Sequence, residues 1–500
     1  MSYRSPRPER RALVLAALCA MGCKETRRSA PAQTPAGPTN QTARPAAPAV
    51  APGRGAQVIV DISESIRGFT SAQSTALETL HAQVIESSLS ALQVNNPFQR
   101  CTVDDQVRCG AAVTAQQLRL PATYRGANAA LHLALRRPPR APRPDLQQPD
   151  PLDPYAVTVM VTDGFQSTGN MFQPGASSDV ACTSGADPSC LAALLRQRVD
   201  EGYGLWVGRL VMGFDGRYFA ERRLDPTMWQ RITAHINALN VAPEWNGVRF
   251  SASAPNMTGA SGAFRFTGAR PLLVFVLSRD IARGRGLVAE MERRLRVERI
   301  TRRGIADDVV FSEWSPFEGM SAQLLNASRA ASGGANDHVL VARPQRSPAA
   351  LDVTARCDIE GKARIRLDGV LRNGALPPPP FAHIALGWRL LARPPQGNAG
   401  ELLVPREALR PVPEPFVAHT GIDCTVLPAG TFAYTMGITA RWTVDPTGFN
   451  AQWFARESAE TSYEMPERVF GLADLARAVI TAGVNREGTL DQLTLRVERR

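Results

Sequence analysis

Two stretches of the chain are runs of strand-forming residues that end in an acid: QVIVD at 57–61 and AVTVMVTD at 156–163. A strand with little polar alternation has to be buried on both faces, which means a central strand of a mainly parallel sheet with helices on either side. In such sheets, ligands sit outside the carboxyl ends of the strands. Each acid therefore stands where chemistry is done. The first run continues as DISES, with Asp61, Ser63 and Ser65 at alternate positions, and the second as TDG, where Gly164 permits a tight turn after Asp163.

The surrounding pattern alternates strand with helix. Leu77, Leu80, Val84 and Leu92 form one helical face, and ANAALHLALRR, CLAALLRQRV and GLVAEMERRLRVERI read as further helices. GLWVGRLVMGF and PLLVFVLS read as strands. This alternation predicts a Rossmann-like, doubly wound α/β domain over 56–300. A segment of about 220–269 is too long for an ordinary connection and reads as an insertion, with GVRFSAS and GAFRFTG as extra strands. From 301 the period changes to two: ALDVTARCDI, KARIRLDGVL, AHIALGWRLL and GTFAYTMGITARWTV alternate apolar with polar between turn clusters such as LPPPP and PPQGNAG. That predicts an antiparallel β-rich domain of sandwich type over 301–500, closed by the helix VFGLADLARAVITAGV on its edge or between the domains.

The N-terminus is an export signal. Arginines at 4, 7, 10 and 11 precede the apolar run ALVLAALCAM, about half the length a membrane span needs. Residues 1–22 therefore read as a signal peptide. Its end, LCAMGC, resembles the bacterial lipoprotein box, which implies that Cys23 is lipidated and becomes the new N-terminus. Lys24 behind it, by similarity to enterobacterial sorting, implies the outer membrane rather than the inner. Secretion with Cys23 as a spare thiol is the other reading. Residues 23–55, rich in Pro and Ala, read as a tether reaching at most ~100 Å.

Six more cysteines follow: Cys101, Cys109, Cys182, Cys190, Cys357 and Cys424. An even number in an exported chain points to disulfides, of which six cysteines allow about 15 arrangements. Local spacing favours Cys101 with Cys109 and Cys182 with Cys190, leaving Cys357 with Cys424. Zinc is the poorer alternative, because no CxxC occurs and the six histidines are scattered. The formal charge of +11 is carried almost wholly by arginines dispersed among acids, Lys24 and Lys362 being the only lysines. This describes a solvated mixed surface and no nucleic-acid partner.

Asp61, Ser63 and Ser65 could deliver a carboxylate and two hydroxyls to one small hard cation. Equally, the serines could cap the following turn, and Asp163-Gly164 could be a simple turn. DISES before a helix, with VMVTDG about 100 residues later, resembles the von Willebrand factor type A domain and its metal-ion-dependent adhesion site. The resemblance covers roughly 57–300. It implies Mg²⁺ (or Mn²⁺) held by Asp61, Ser63, Ser65 and Asp163, together with a threonine hydroxyl from a second loop. That loop here reads YRGANAALHLAL: Asn128 or Ala129 stands in the threonine's place and Thr123 precedes the glycine, and of these Asn128, with a carbonyl oxygen to offer, is preferred to Thr123.

Neutral hydroxyls fill coordination positions without cancelling the ion's charge, so the ion stays attractive to a carboxylate from a partner. The expected function is thus a membrane-tethered envelope protein that binds a protein ligand through a divalent ion, and not an enzyme. A metal-assisted envelope hydrolase and a metal-free scaffold of an envelope assembly are the alternatives. No GxSxG, HExxH or P-loop occurs, and no general base neighbours Asp61 or Asp163 in sequence.

Overall fold

In the computed structural model, the described residues are 55–70, 75–95, 98–109, 113–126, 129–135, 155–164, 188–220, 224–253, 262–298, 309–315, 320–329, 340–342, 351–373, 381–394, 401–403, 416–461, 463–481 and 488–500. Eight strands form the first sheet: β1 (Ala56–Asp61), β2 (Phe98–Val103), β3 (Val107–Cys109), β4 (Val157–Thr162), β5 (Gly204–Phe219), β6 (Ser251–Ser253), β7 (Ala263–Ser278) and β8 (Val309–Glu313). Their order is β3-β2-β1-β4-β7-β5-β8, with β6 paired to β7. The block β2-β1-β4 is parallel, while β7 runs antiparallel between β4 and β5. Five strands (β1, β2, β4, β5, β6) share one direction, and β3, β7 and β8 oppose it.

All six residues of β1 and of β4 are buried, as their unbroken apolar character requires. Alternate side chains go to opposite faces. Val58, Val60, Val159 and Val161 face one core with Leu77, Leu80, Val84, Leu89, Leu287 and Met291. These last six come from a helical stretch, α1 (Ala76–Thr79), a π-helical segment (Leu80–Glu86) and α2 (Ser87–Ala91), and from α6 (Ile281–Glu298). Ile59, Met160 and Phe275 face the other core, where α3 (Leu131–Leu135) and α4 (Pro188–Asp200) supply Leu131, Leu191 and Leu195.

The rest of that second core comes from beyond residue 301. Trp314, Trp453, Phe454, Leu472, Leu475 and Val479 belong to it. The last five lie in α8 (Trp453–Arg456) and α9 (Leu472–Ile480), which follow α7 (Pro446–Asn450). Arg209 of β5 also reaches across to Glu457, 2.5 Å away. From α5 (Pro226–Leu239), His235 meets Glu467 at 2.9 Å. The expected closing helix thus covers a face of the central sheet. Elements on both sides of residue 301 build one core, and the chain from Pro52 to Arg500 forms one compact unit.

The expected insertion contains a difference. GAFRFTG is not a separate strand: with PLLVFVLS it makes β7, whose sixteen residues pair with all sixteen of β5 from Gly204↔Ser278 to Phe219↔Ala263. Gly268 and Pro271 read as breaks in sequence. Pro271 is tolerated because β4 pairs only with Leu273 to Ser278, so at Pro271 β7 is bordered on one side alone. The protruding half of this pair is closed by aromatic contacts, Phe214–Phe266 at 6.0 Å and Trp229–Phe264 at 5.7 Å among them.

The β-rich part has a five-stranded sheet of β10 (Leu340–Ala342), β11 (Leu351–Arg356), β19 (Gly488–Arg499), β16 (Gly430–Val444) and β13 (Ala382–Ala392). A four-stranded sheet is made of β14 (Leu402–Leu403), β15 (Phe416–Asp423), β12 (Lys362–Asn373) and β9 (Met320–Arg329). Val353, Tyr434 and Leu495 from the first and Ile365, Leu367 and Ile422 from the second share one core. The small pair β17 (Ser458–Ala459) and β18 (Val469–Phe470) lies between α8 and α9. Cys101 is bonded to Cys109, and Cys357 to Cys424. Cys182, the side chain of Cys190 and Cys23 lie outside the described residues.

These packing relations predict the behaviour of fragments. Large apolar side chains stabilise by about 1.5–3 kcal/mol each when buried, and a domain's total stability is about 5–15 kcal/mol. A fragment of 52–300 loses Trp314, Trp453, Phe454, Leu472, Leu475 and Val479 from its second core, so it should aggregate or bind a hydrophobic dye. The fragment 52–500 should show a cooperative thermal transition. An equally cooperative transition in 52–300 would overturn this.

Candidate functional site

The ends of β1 and β4 lie side by side because Val60 pairs with Val161 in parallel register. The next residues on the two strands, Asp61 and Thr162, are joined: the Thr162 hydroxyl donates to Asp61 Oδ2 at 2.8 Å. On the other side of the carboxylate, the Ser63 amide donates to Oδ1 at 2.9 Å. Ser63 and Ser65 then bring their hydroxyls within 2.9 Å of each other, as the chain enters a 3-10 turn, Glu64–Phe69. Asp163 follows Thr162 directly. Gly164 follows at φ +77°, and its amide donates back to the Thr162 hydroxyl at 3.1 Å.

Asp61, Ser63, Ser65 and Asp163 thus meet at the carboxyl end of the parallel block, and all four are buried. Asn128, the remaining expected ligand, lies outside the described residues, but the loop leading to it is fixed. The Glu64 amide donates to the Gly126 carbonyl at 2.8 Å and the Gly126 amide to the Ile62 carbonyl at 3.1 Å. Any Cβ on Gly126 would lie 2.5 Å from Cβ of Asp104 and 3.3 Å from Cα of Ser63. Only glycine allows this approach. A Cβ on Gly164 would likewise fall 2.8 Å from Leu273 and 2.9 Å from Val469.

Three participants were not singled out by the sequence reading: Thr162, Gly126 and Arg270. Arg270, on β7, is 3 % exposed and places Nη1 3.4 Å from Asp163 Oδ2. Its guanidinium lies against the rings of Phe214 and Tyr218, 4.9 and 4.8 Å from their centroids. A charged residue inside the apolar stretch FTGARPLLVFVL was the available signal, since a lone arginine there must find a buried partner.

The electrostatics follow from burial. Asp61 is fully enclosed, and desolvation, followed by the neighbouring Asp163 charge, pushes its carboxyl from 3.8 up to about 7. Hydrogen bonds from Ser63 and Thr162 act the other way and are outweighed. Tyr124, whose hydroxyl donates to the Leu118 carbonyl at 2.7 Å, is held above its ordinary range by burial and then by the Asp61 charge.

The donor set suits a small hard cation. It consists of carboxylate and hydroxyl oxygens, and two neighbouring ligands of an octahedral ion at ~2.1 Å are about 3 Å apart, close to the spacing of Ser63 Oγ and Ser65 Oγ. Two buried acids also favour a counter-charge. Among the described residues no cluster of three or more His, Cys, Asp or Glu side chains forms a metal-binding group, so any such ion would depend on the hydroxyls. Comparison with known protein families, with curated proteins and with solved structures finds no match to this chain.

The raised carboxyl has a testable consequence in chelated, metal-free protein. Between pH 4 and 7, native Asp61 holds a proton that the unfolded chain has released, so its contribution to stability is present at low pH and is lost as pH rises through 7. Denaturant unfolding of the wild type and of Asp61→Asn should show the variant gaining on the wild type as pH goes from 4 to 7.5. A constant difference between the two would show that the carboxyl titrates normally.

Proposed function

We propose that this protein is an envelope-tethered binding module in which a von Willebrand factor A-like domain captures a protein ligand through a divalent ion. The observation that carries this reading is the meeting of Asp61 and Asp163 at adjacent strand ends with the hydroxyls of Ser63 and Ser65 beside them. Asp61, Ser63, Ser65 and Asp163 would hold Mg²⁺ or Mn²⁺, with Asn128 as the ligand from the second loop. The bound ion supplies an electrophilic position for a carboxylate of the partner. Exposed Arg67 and Arg125 flank this place in the chain and would favour an acidic partner.

The β3-β2-β1-β4 order agrees with the first half of a doubly wound sheet, and the two β-rich sheets sharing one core agree with a sandwich. The two disulfides agree with export to an oxidising compartment. In this reading Cys23 carries the lipid and 23–55 lifts the module from the outer membrane. Among the described residues no helix is long and apolar enough to cross a membrane.

A second reading has its own observation. Arg270 already sits on Asp163, which favours a scaffold that needs no ion.

Thermal unfolding of residues 52–500 during a Mg²⁺ or Mn²⁺ titration separates the two. A bound ion stabilises by about 2.7 kcal/mol at a hundredfold excess over its dissociation constant. The wild type should gain stability and Asp61→Ala should not. Recovery of envelope proteins on immobilised wild type, lost with Asp61→Ala or chelator, would extend the result to ligand capture. No metal response in the wild type favours the scaffold.

A further inference from the structure

The cation-poor corner of the site holds one permanent positive charge. Arg270 is buried on β7, its Nη1 is 3.4 Å from Asp163 Oδ2, and its Nε has no hydrogen-bond partner. A guanidinium is charged at any accessible pH and is held best by a carboxylate fork. Here it makes one long contact to Asp163 instead of a bidentate pair. The guanidinium also lies against the rings of Phe214 and Tyr218, whose faces attract a desolvated cation.

We infer that Arg270 is a built-in competitor for the divalent ion, holding Asp163 in the ion-free protein and weakening metal binding until it is drawn away. This rests on the reading of the site as a divalent-ion site. Two positive groups cannot share one buried carboxylate without mutual repulsion. A loosely bonded arginine is the one that yields, since the faces of Phe214 and Tyr218 still carry its charge when Asp163 does not.

Phe214 connects this contact to the serine turn. Its ring lies 5.0 Å from that of Phe69, and a Cβ on Gly68 would fall 2.3 Å from it. Phe214 is thus packed between Arg270 and the Glu64–Phe69 turn. The consequence of the competition is a weakened site, which fills only at a higher divalent-ion concentration than the same ligands would need without Arg270.

The test is calorimetric and thermal-shift titration of Mn²⁺ into residues 52–500, as wild type and as Arg270→Met, Arg270→Gln and Arg270→Lys. Methionine keeps the packing against the two rings, and glutamine, the second neutral variant, keeps a hydrogen bond to Asp163. A fixed positive charge 3.4 Å from a carboxylate oxygen repels a cation approaching the same oxygens, and removing about 1.4 kcal/mol of that repulsion is already tenfold in affinity. Both neutral variants should therefore bind Mn²⁺ at least about tenfold more tightly than the wild type, while lysine, which keeps the charge, should stay near it. Tightening in the neutral variants where the wild type shows none supports the inference most strongly. Equal affinity in all four chains, or equal tightening by lysine, overturns it while leaving the metal site standing. No binding by any folded variant overturns the inference and the metal reading together.

Discussion

Two carboxylates at adjacent ends of fully buried strands are the constraint on which this protein turns. Strands β1 and β4 can be central only because they are apolar throughout, and their parallel register brings Asp61 beside Thr162 and Asp163 close to both. Burial that serves the core works against the acids, because charge removed from water must be compensated. The compensation is spread over the Ser63 amide and Thr162 hydroxyl at Asp61 and the Arg270 guanidinium at Asp163. Among the described residues the Arg270 guanidinium is the positive charge in contact with Asp163. Burial first, and the neighbouring Asp163 charge second, push the Asp61 carboxyl to about 7.

The site also depends on residues far from it in sequence. Gly164 follows Asp163 in a space bounded by Leu273 of β7 and Val469 of β18. Val469 sits just before α9, which covers the second face of the sheet with Leu472, Leu475 and Val479. The position of Asp163 is thus set by the strand that carries it, by the strand that supplies Arg270 and by the last quarter of the chain. The β-rich part is inserted between pieces of one core, so it cannot be treated as an independent spacer.

The strands and acids were legible because they obey local rules. Unbroken apolar runs ending in Asp61 and Asp163 announced central strands, alternate positions announced the serines, and the local cysteine pair Cys101 and Cys109 faces itself across β2 and β3 in direct register. What failed to show in sequence was nonlocal. Nothing near residues 270 or 469 says which strand end they meet. The continuous β7 was hidden by Gly268 and Pro271, whose usual meaning is a break, and only the termination of the β4 ladder made the proline acceptable. The placement of α9 on the central sheet was equally hidden, since its apolar face would suit any uncovered surface.

The second loop shows how covalent and noncovalent restraints combine at such a site. Asp104 follows β2 directly, its carbonyl accepts from the Ala130 amide at 2.7 Å, and its Cβ defines the space that only glycine at 126 can enter. The Ile62 amide donates to the Val103 carbonyl at 2.9 Å, tying the serine loop to the same strand end. Both loops therefore lean on the end of β2, and β2 is stapled to β3 through Cys101 and Cys109. An edge strand of three residues would hold weakly by its own hydrogen bonds. The disulfide holds this edge strand to β2, while the backbone hydrogen bonds Glu64 to Gly126 and Gly126 to Ile62 join the two loops. That close join explains why glycine, and not a flexible side chain, stands at the point where the two loops touch.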